Sequence, residues 1–261
     1  MESAPVITLT TDFGHRDYYA GALKGALLRA CPFVQVVDIS HAIAAYDIVE
    51  AAFVVRNAFP EFPDGAIHLI GVNCVYDRDY RFVAVRHQEH FFVAPDNGVL
   101  SLLFDQLPEA DIRTLPVAGN SHFPVKHAFV EAAAHLGSRQ PFEHLGIPGA
   151  PLLQRISLQP VITATRIRGT VIHIDTFENV IVNIRRDTFE TAAKGRPFSL
   201  FFKRNDPINR LSGNYSDVLV GEPLCLFNSA GYLEIAVNLG RAASLLGLKV
   251  EDVVELVFEG N

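Results

Sequence analysis

The feature that most constrains this chain is a change of texture near residue 159. Before it, β-rich runs alternate with stretches of helical spacing; after it, short β-rich runs follow one another with turns between. Val6 to Thr10 is a short β-rich run, and from about Asp17 to Ala30 the apolar residues Leu23, Ala26, Leu27 and Ala30 recur at helical spacing. Val34 to Ile39 reads as a second strand, and from Tyr46 to Ala58 a helix is expected, with Ile48, Ala51, Ala52 and Val55 on one face. Apolar runs at 67–72, 82–86 and 91–94 follow, then a helix after Asn97-Gly98 and a last one from Ala128 to Leu136. This rhythm predicts a mostly parallel sheet covered by helices. From Gln159 onward the runs 161–167, 171–174, 180–184, 218–220, 224–227 and 253–258 are separated by turn residues such as Arg168-Gly169, Ser212-Gly213-Asn214 and Ala230-Gly231. They read as an antiparallel barrel or sandwich. Pro148, Gly149 and Pro151 sit at the seam, so the expected organisation is an α/β domain over residues 1–150 and an all-β domain over residues 159–261.

Charge follows the same division. Of the net −7, residues 1–150 hold 10 Lys/Arg against 17 Asp/Glu, while residues 151–261 hold 12 of each. An acidic chain with no basic stripe is a poor partner for nucleic acid or an anionic membrane, and no stretch approaches the length of a membrane span. A small neutral or cationic ligand fits better. Three cysteines, Cys31, Cys74 and Cys225, without a CxxC spacing suggest neither a disulfide framework nor a zinc knuckle. With no signal-peptide pattern at the start, the expected compartment is the cytoplasm.

Among the motifs, Asp12-Phe13-Gly14-His15-Arg16-Asp17 contains the kinase letters DFG and HRD, but not their separation, their order or a Gly-rich loop. His87-Gln88-Glu89-His90 reads as a solvated polar turn between strands, and neither a metal nor a cofactor is expected. Asp12 closes the first strand, where open α/β sheets place ligand groups. A carboxylate there can accept two hydrogen bonds from a vicinal diol such as that of a ribose; it can equally cap the following helix, and spacing leaves both open. No phosphate-binding loop is present, as suits a nucleoside without phosphates. Pro95-Asp96-Asn97-Gly98 reads as a turn with a helix cap, and Asp175 to Asn179 and Asn228 to Leu233 as hairpin turns.

Together, five blocks in order, TTDFGHRDYYAGALKG (10–25), VVDISHAIAAYDIVEAA (36–52), FFVAPDNGVLSLLF (91–104), HIDTFENVIVNI (173–184) and NSAGYLEIAVNLGRAASLLGL (228–248), resemble the S-adenosyl-L-methionine (SAM) hydroxide adenosyltransferases, the SAM hydrolases related to fluorinase and chlorinase. The resemblance implies an N-terminal α/β domain, a C-terminal β-barrel and a homotrimer with SAM between the N-domain of one subunit and the C-domain of its neighbour. It implies attack of water or hydroxide on C5′ of SAM, giving adenosine and methionine. By the same resemblance Asp12 matches the ribose carboxylate, Asp17 an acid near the methionine end, Tyr46 an aromatic on the ribose and Phe123 a further wall. Asp175 would meet the methionine amino group, Phe177 and Asn179 the adenine, Ser229 the methionine carboxylate and Ala242 the adenine through its backbone. An arginine of the halogenases falls at Ala230.

The chain departs from the family at the nucleophile. Family hydrolases carry a DPGVGTxRR-like loop and an FHGRD-like segment that orient water. Here ungapped matching puts Asn73 at the Asp position and Tyr80 at the Arg position, with Arg81 beside it, and Pro124 at the His position, with His127 three residues on. Nor do Tyr76 and Val125 match the halogenase residues at their positions. The candidate catalytic residues are therefore Asn73, Arg81 and His127. The alternatives to hydrolysis are a catalytically impaired SAM or adenosine binder, acting as sensor or assembly partner, and transfer of the adenosyl group to another nucleophile.

Overall fold

The computed structural model describes residues 4–74, 80–104, 106–116, 122–203 and 206–259. The chain forms two compact units, Met1–Ile156 and Ser157–Asn261.

The first unit contains β1 (Val6–Thr11), α1 (Tyr19–Ala30), β2 (Gln35–Ser40), α2 (Ile48–Ala58), β3 (Ile67–Gly71), β4 (Phe82–His87), β5 (His90–Pro95), α3 (Val99–Leu103), β6 (Ile112–Leu115), α4 (Pro124–Gly137) and the short β7 (Ile147–Pro148). The strand order is β2-β1-β3-β5-β4-β6-β7. The pairs β1/β2, β1/β3 and β3/β5 are parallel, and β4, β6 and β7 extend the sheet antiparallel. Leu23 and Leu27 of α1 and Phe129 of α4 pack with Ile7, Leu9 and Leu69 on one face. Ala51 and Val55 of α2 and Leu100 of α3 pack with Ile70, Val83 and Phe92 on the other. All five residues of β3 are consequently buried, as expected of a parallel strand covered on both faces.

Helix α4 begins four residues before the apolar pattern suggests. Pro124 occupies its first turn, where a missing N–H and a fixed φ favour helix initiation. The turn at Gln88-Glu89 has φ of 47° and 62° at its two central residues, the left-handed pair that suits the twist of a hairpin. Its flank is not solvated, however: His90 is buried and lies 3.1 Å (Nδ1) from His68 Nε2, whose Nδ1 lies 2.7 Å from Thr8 Oγ1. Burial, reinforced by the positive field of His90, pushes His68 down to about 3 and keeps it neutral.

The second unit contains β8 (Val161–Ile162), β9 (Arg166–Ile174), β10 (Val180–Arg185), α5 (Arg186–Ala193), β11 (Phe198–Phe202), β12 (Pro223–Phe227), β13 (Tyr232–Val237), α6 (Ala242–Leu246) and β14 (Val253–Phe258). The order is β11-β14-β9-β10-β13-β12, with β8 added beside β9, and the pairings are antiparallel. The sheet curls around one core of Ile167, Val182, Ile184, Leu200, Leu233, Ile235 and Leu256, closed by Phe189 of α5.

Arg168-Gly169 is not a turn. It lies inside β9, and Gly169 is required there because a Cβ would stand 2.7–2.8 Å from the side chains of Ile184 and Val182. Val218 to Val220 is not a strand either. Glu222 accepts from Leu219 N through its side chain and donates its own N–H to Leu219 O, closing a turn that leaves Leu219 and Val220 exposed. In the second unit β11, β13, α5 and α6 are elements that the apolar pattern had not marked, as are β6 and β7 in the first.

Candidate functional site

The strand order places β1 between β2 and β3, so successive crossovers leave β1 on opposite sides. The crevice at the carboxyl ends of β1 and β3 is the topological switch point at which open α/β sheets bind ligands. Asp12 stands there, immediately after β1. It does not cap α1, whose cap position is Tyr18. Instead its Oδ2 accepts from two backbone N–H groups, Asn73 after β3 and Tyr46 before α2, each at 3.0 Å. Both donors have positive φ, 52° at Asn73 and 69° at Tyr46, a conformation uncommon for residues with side chains and one that turns their N–H groups onto the carboxylate. Among the described residues no hydrogen bond reaches Asp12 Oδ1, which keeps acceptor capacity for a ligand hydroxyl.

Two supports hold this arrangement, and neither was legible as such in the sequence. Asn97 lies one residue before the Gly98 cap position of α3; its Oδ1 accepts from Val99 N, and its Nδ2 donates to the carbonyls of Val72 and Asn73 at 3.0 and 3.3 Å. It thereby fixes the end of β3. His41, almost fully buried, pairs through Nδ1 with Thr11 Oγ1 at 2.7 Å and accepts from Gly14 N through its carbonyl. A proton on its Nε2 would face Asp38, 3.1 Å away. The DNG letters give a turn with a helix cap, and His41 is not singled out at all; the contacts of Asn97 depend on β3, which is distant in the chain.

Around Asp12 the structure brings together part of the expected set. Phe123 meets Phe13 and Tyr19 edge-on, with centroids 5.8 and 5.5 Å apart, forming an aromatic wall at the start of α4. Tyr46 is exposed, and Asp17 is exposed in the segment leading into α1. The candidates for water handling are less concentrated. Asn73 spends its N–H on Asp12. Arg81 donates through Nε to Asp96 at 2.7 Å and through Nη2 to the Pro151 carbonyl at 2.7 Å, so its guanidinium ties loops together. His127 is exposed on α4. Residues 75–79, including Tyr76, lie outside the described residues, while Val125 is buried in the core. Burial pushes the Cys74 thiol up to about 12, so it stays protonated and is no nucleophile near neutral pH.

In the second unit Asp175 and Asn179 form one local motif after β9. Asp175 Oδ1 accepts from Phe177 N and Asn179 N at 2.9 and 2.8 Å, and Oδ2 accepts from Asn179 Nδ2 at 3.1 Å. The turn projects Phe177 into solvent, 74% exposed. Glu178, at φ 64°, takes the N–H groups of Ala243 (through its carbonyl) and Ser244 (through its carboxylate), so the Asp175 turn is anchored to the first turn of α6, where Ala242 is buried. Ser229 is exposed at the tip of the β12–β13 hairpin, and Asn228 braces that tip by accepting from Ala230 N and Tyr232 N. Among the described residues no cluster of three or more His, Cys, Asp or Glu side chains could hold a metal ion, and no helix is long and apolar enough to cross a membrane.

Comparison with known proteins accounts for both halves. The SAM hydroxide adenosyltransferase N-terminal domain matches residues 7–146, and the C-terminal domain of the same family matches residues 169–255. An (R)-S-adenosyl-L-methionine hydrolase of Thermus thermophilus is 33% identical, covering 94% of this chain and 96% of its relative. A fluorinase of Actinopolyspora mzabensis is 24% identical, over 95% of each chain. Among solved structures, an uncharacterized conserved protein from Thermotoga maritima matches with a TM-score of 0.87 and 29% identity, over 97% of this chain and 99% of that one. The two matched domains span most of the sequence in the family's order, and the chain belongs to the SAM hydroxide adenosyltransferase family.

Proposed function

We propose that the protein binds SAM and hydrolyses it to adenosine and L-methionine. Water attacks C5′ in line with the sulfonium; the C5′–O bond forms as the C5′–S bond breaks, the bonding pair returns to sulfur as neutral thioether, and one proton goes to solvent. The leaving group is already activated by its charge, so the protein contributes alignment and partial exclusion of water more than acid catalysis. Asp12 holds the ribose diol through its open oxygen, with Tyr46 and Phe123 as apolar walls and Asp17 toward the methionine end. Asp175 and Ser229 take the amino-acid end; Phe177, Asn179 and the backbone at Ala242 take adenine. The observation that carries this reading is Asp12 at the switch point, its Oδ2 fixed by two backbone donors. Neither a metal nor a further cofactor has a part in it.

The nucleophile pocket favours a second reading, a SAM or adenosine binder without turnover. Arg81 is committed to Asp96 and Pro151, and His127 faces solvent. Incubating the purified protein with SAM, with and without excess chloride, and following adenosine, 5′-chloro-adenosine and methionine by chromatography separates the readings. Adenosine and methionine in equal amounts support hydrolysis; tight binding with no product under either condition leaves the binder, and a chlorinated product points to transfer to another nucleophile. The same proposal includes a homotrimer, in which the cleft of one subunit is completed by a neighbour's second unit. Light scattering that finds a stable monomer would sink that part, as it would leave each ligand site half built. A cytoplasmic location belongs to the same reading, and fractionation of the source cells tests it.

A further inference from the structure

Glu178 stands between Phe177 and Asn179, at a place where the backbone favours glycine. In the loop between β9 and β10, Asp175 N donates to the Asn179 carbonyl at 3.1 Å and Glu178 N to the Asp175 carbonyl at 2.9 Å. Thr176 and Phe177 are thus the central residues of a turn, and Glu178 follows them with φ 64°, in the left-handed region. This is a common three-residue closure of a hairpin, and its left-handed position suits glycine because a Cβ crowds the backbone there. The turn itself gives no reason for a glutamate. A disfavoured conformation retained by a residue with a long side chain points to a task for that side chain.

The task is visible in α6, 66 residues further on. Glu178 Oε2 accepts from Ser244 N at 3.0 Å, its Oε1 lies 3.3 Å from Arg241 Nη1, and its carbonyl accepts from Ala243 N at 2.9 Å. Arg241, the cap position of α6, makes no side-chain cap bond, so Glu178 supplies from a distant segment the acceptors that a capping side chain would supply. The Glu178 side chain is 24% exposed and that of Arg241 78%, so the bond to Ser244 is the anchor and the screened ion pair adds little. The Asp175 carboxylate shapes the turn from within, through Phe177 N, Asn179 N and Asn179 Nδ2. Glu178 fastens the same turn to another element, one residue from the exposed ring of Phe177.

We propose that Glu178 is a positioning residue for adenine recognition: by fastening the hairpin tip to α6 it fixes the ring of Phe177 in the orientation on which the base stacks. A stacking ring contributes most when its orientation is set before the ligand arrives, because binding then carries no ordering cost for the loop. The inference rests on the reading of Phe177 as an adenine-binding residue, and it adds the reason why a strained glutamate stands beside it.

The test compares calorimetric affinities for adenosine in the wild type, Glu178→Gly, Glu178→Gln, Phe177→Ala and the double variant Glu178→Gly with Phe177→Ala. Glycine suits the left-handed position, so Glu178→Gly keeps the turn and removes the anchor, and its affinity should fall about tenfold. Glu178→Gln, whose amide oxygen still accepts from Ser244 N, should recover most of that loss. Phe177→Ala should lose at least about tenfold, as expected on removing an aromatic ring stacked on a base. The double variant should lose no more than Phe177→Ala alone, because Glu178 acts through the ring. Losses that add in the double variant would show a packing role independent of Phe177 and overturn the proposal, as would wild-type affinity in Glu178→Gly; either result leaves Phe177 as a stacking residue. Wild-type affinity in Phe177→Ala overturns the adenine reading itself, and the role of Glu178 with it.

Discussion

Asp12 and Asp175 are both carboxylates placed just beyond a strand, yet they are wired in opposite ways. The donors to Asp12 come from residues 34 and 61 positions away in the chain, whereas those to Asp175 come from two and four positions away. Asp12 acquires its geometry only when β1, β2 and β3 have assembled. Asp175 makes its turn from its own neighbours, an Asx-type closure available to any Asp ahead of suitable backbone N–H groups. The geometry at Asp12 therefore depends on the sheet, whereas that at Asp175 belongs to a local motif that its sheet merely carries.

The sharpest way to break that comparison is Asp12→Ala. It removes the shared acceptor of two loops and the diol partner together, so adenosine affinity should fall by about a hundredfold, equivalent to ~3 kcal/mol. Unchanged affinity by calorimetry would mean that the cleft is not the ribose site. Acid should also act first on the unit held by long-range contacts, which contains nine of the ten histidines. His68 is held neutral down to about 3 in the fold, whereas an unfolded histidine binds a proton near 6.5. Its contribution is complete above about pH 6.5 and is lost progressively as the pH falls toward about 3. The loss is on the order of 3 kcal/mol by pH 4. Urea titrations across that range should show falling stability, with a flatter slope in His68→Gln; equal slopes would remove His68 as the cause.

Smaller effects sharpen the contrast. Gly169→Ala forces a methyl group against Ile184 and Val182 and should cost roughly 1–3 kcal/mol in the second unit. Hydrogen exchange should find β9 and β10 loosened and the Asp12 loops unaffected. Asn97→Ala releases the carbonyls of Val72 and Asn73 and should weaken adenosine binding through Asp12 alone, by about 1 kcal/mol. A similar loss on truncating a comparably placed residue of the Asp175 turn's strand, His173→Ala, would erase the difference between distant and local wiring. Cys74→Ala should change affinity least, and at neutral pH the Cys74 thiol should react with iodoacetamide slowly, since it titrates near 12.

Periodicity read most of the first unit well because its helices present one apolar face to a sheet and its strands are buried runs. Where it failed, the determining contact lay elsewhere in the chain. Arg168-Gly169 has the letters of a turn, but Gly169 is there for close approach to β10. Val218 to Val220 has the letters of a strand, but it is a turn closed by Glu222. His90 resembled a solvated turn residue, and became a buried partner of His68 only through the pairing of β3 with β5. In the candidate site, Asp12 could be singled out by its position after a strand, whereas Asn97 reads only as part of a turn with a helix cap and His41 is not singled out.

The sequence by itself determined the division into an alternating α/β part and an all-β part, and it carried the motifs of the family. It also determined the local turns at Asp175 and Asn228, because their donors and acceptors lie within four residues of each other. Only the tertiary structure decided that Asp12 is held by the ends of two other chain segments, that Arg81 is spent on Asp96, and that Glu178 is anchored to Ser244. The physical reason is one of range. A hydrogen bond between chain neighbours is implied by residue type and spacing, but one that spans tens of residues exists only after strand order and register have brought its two ends together.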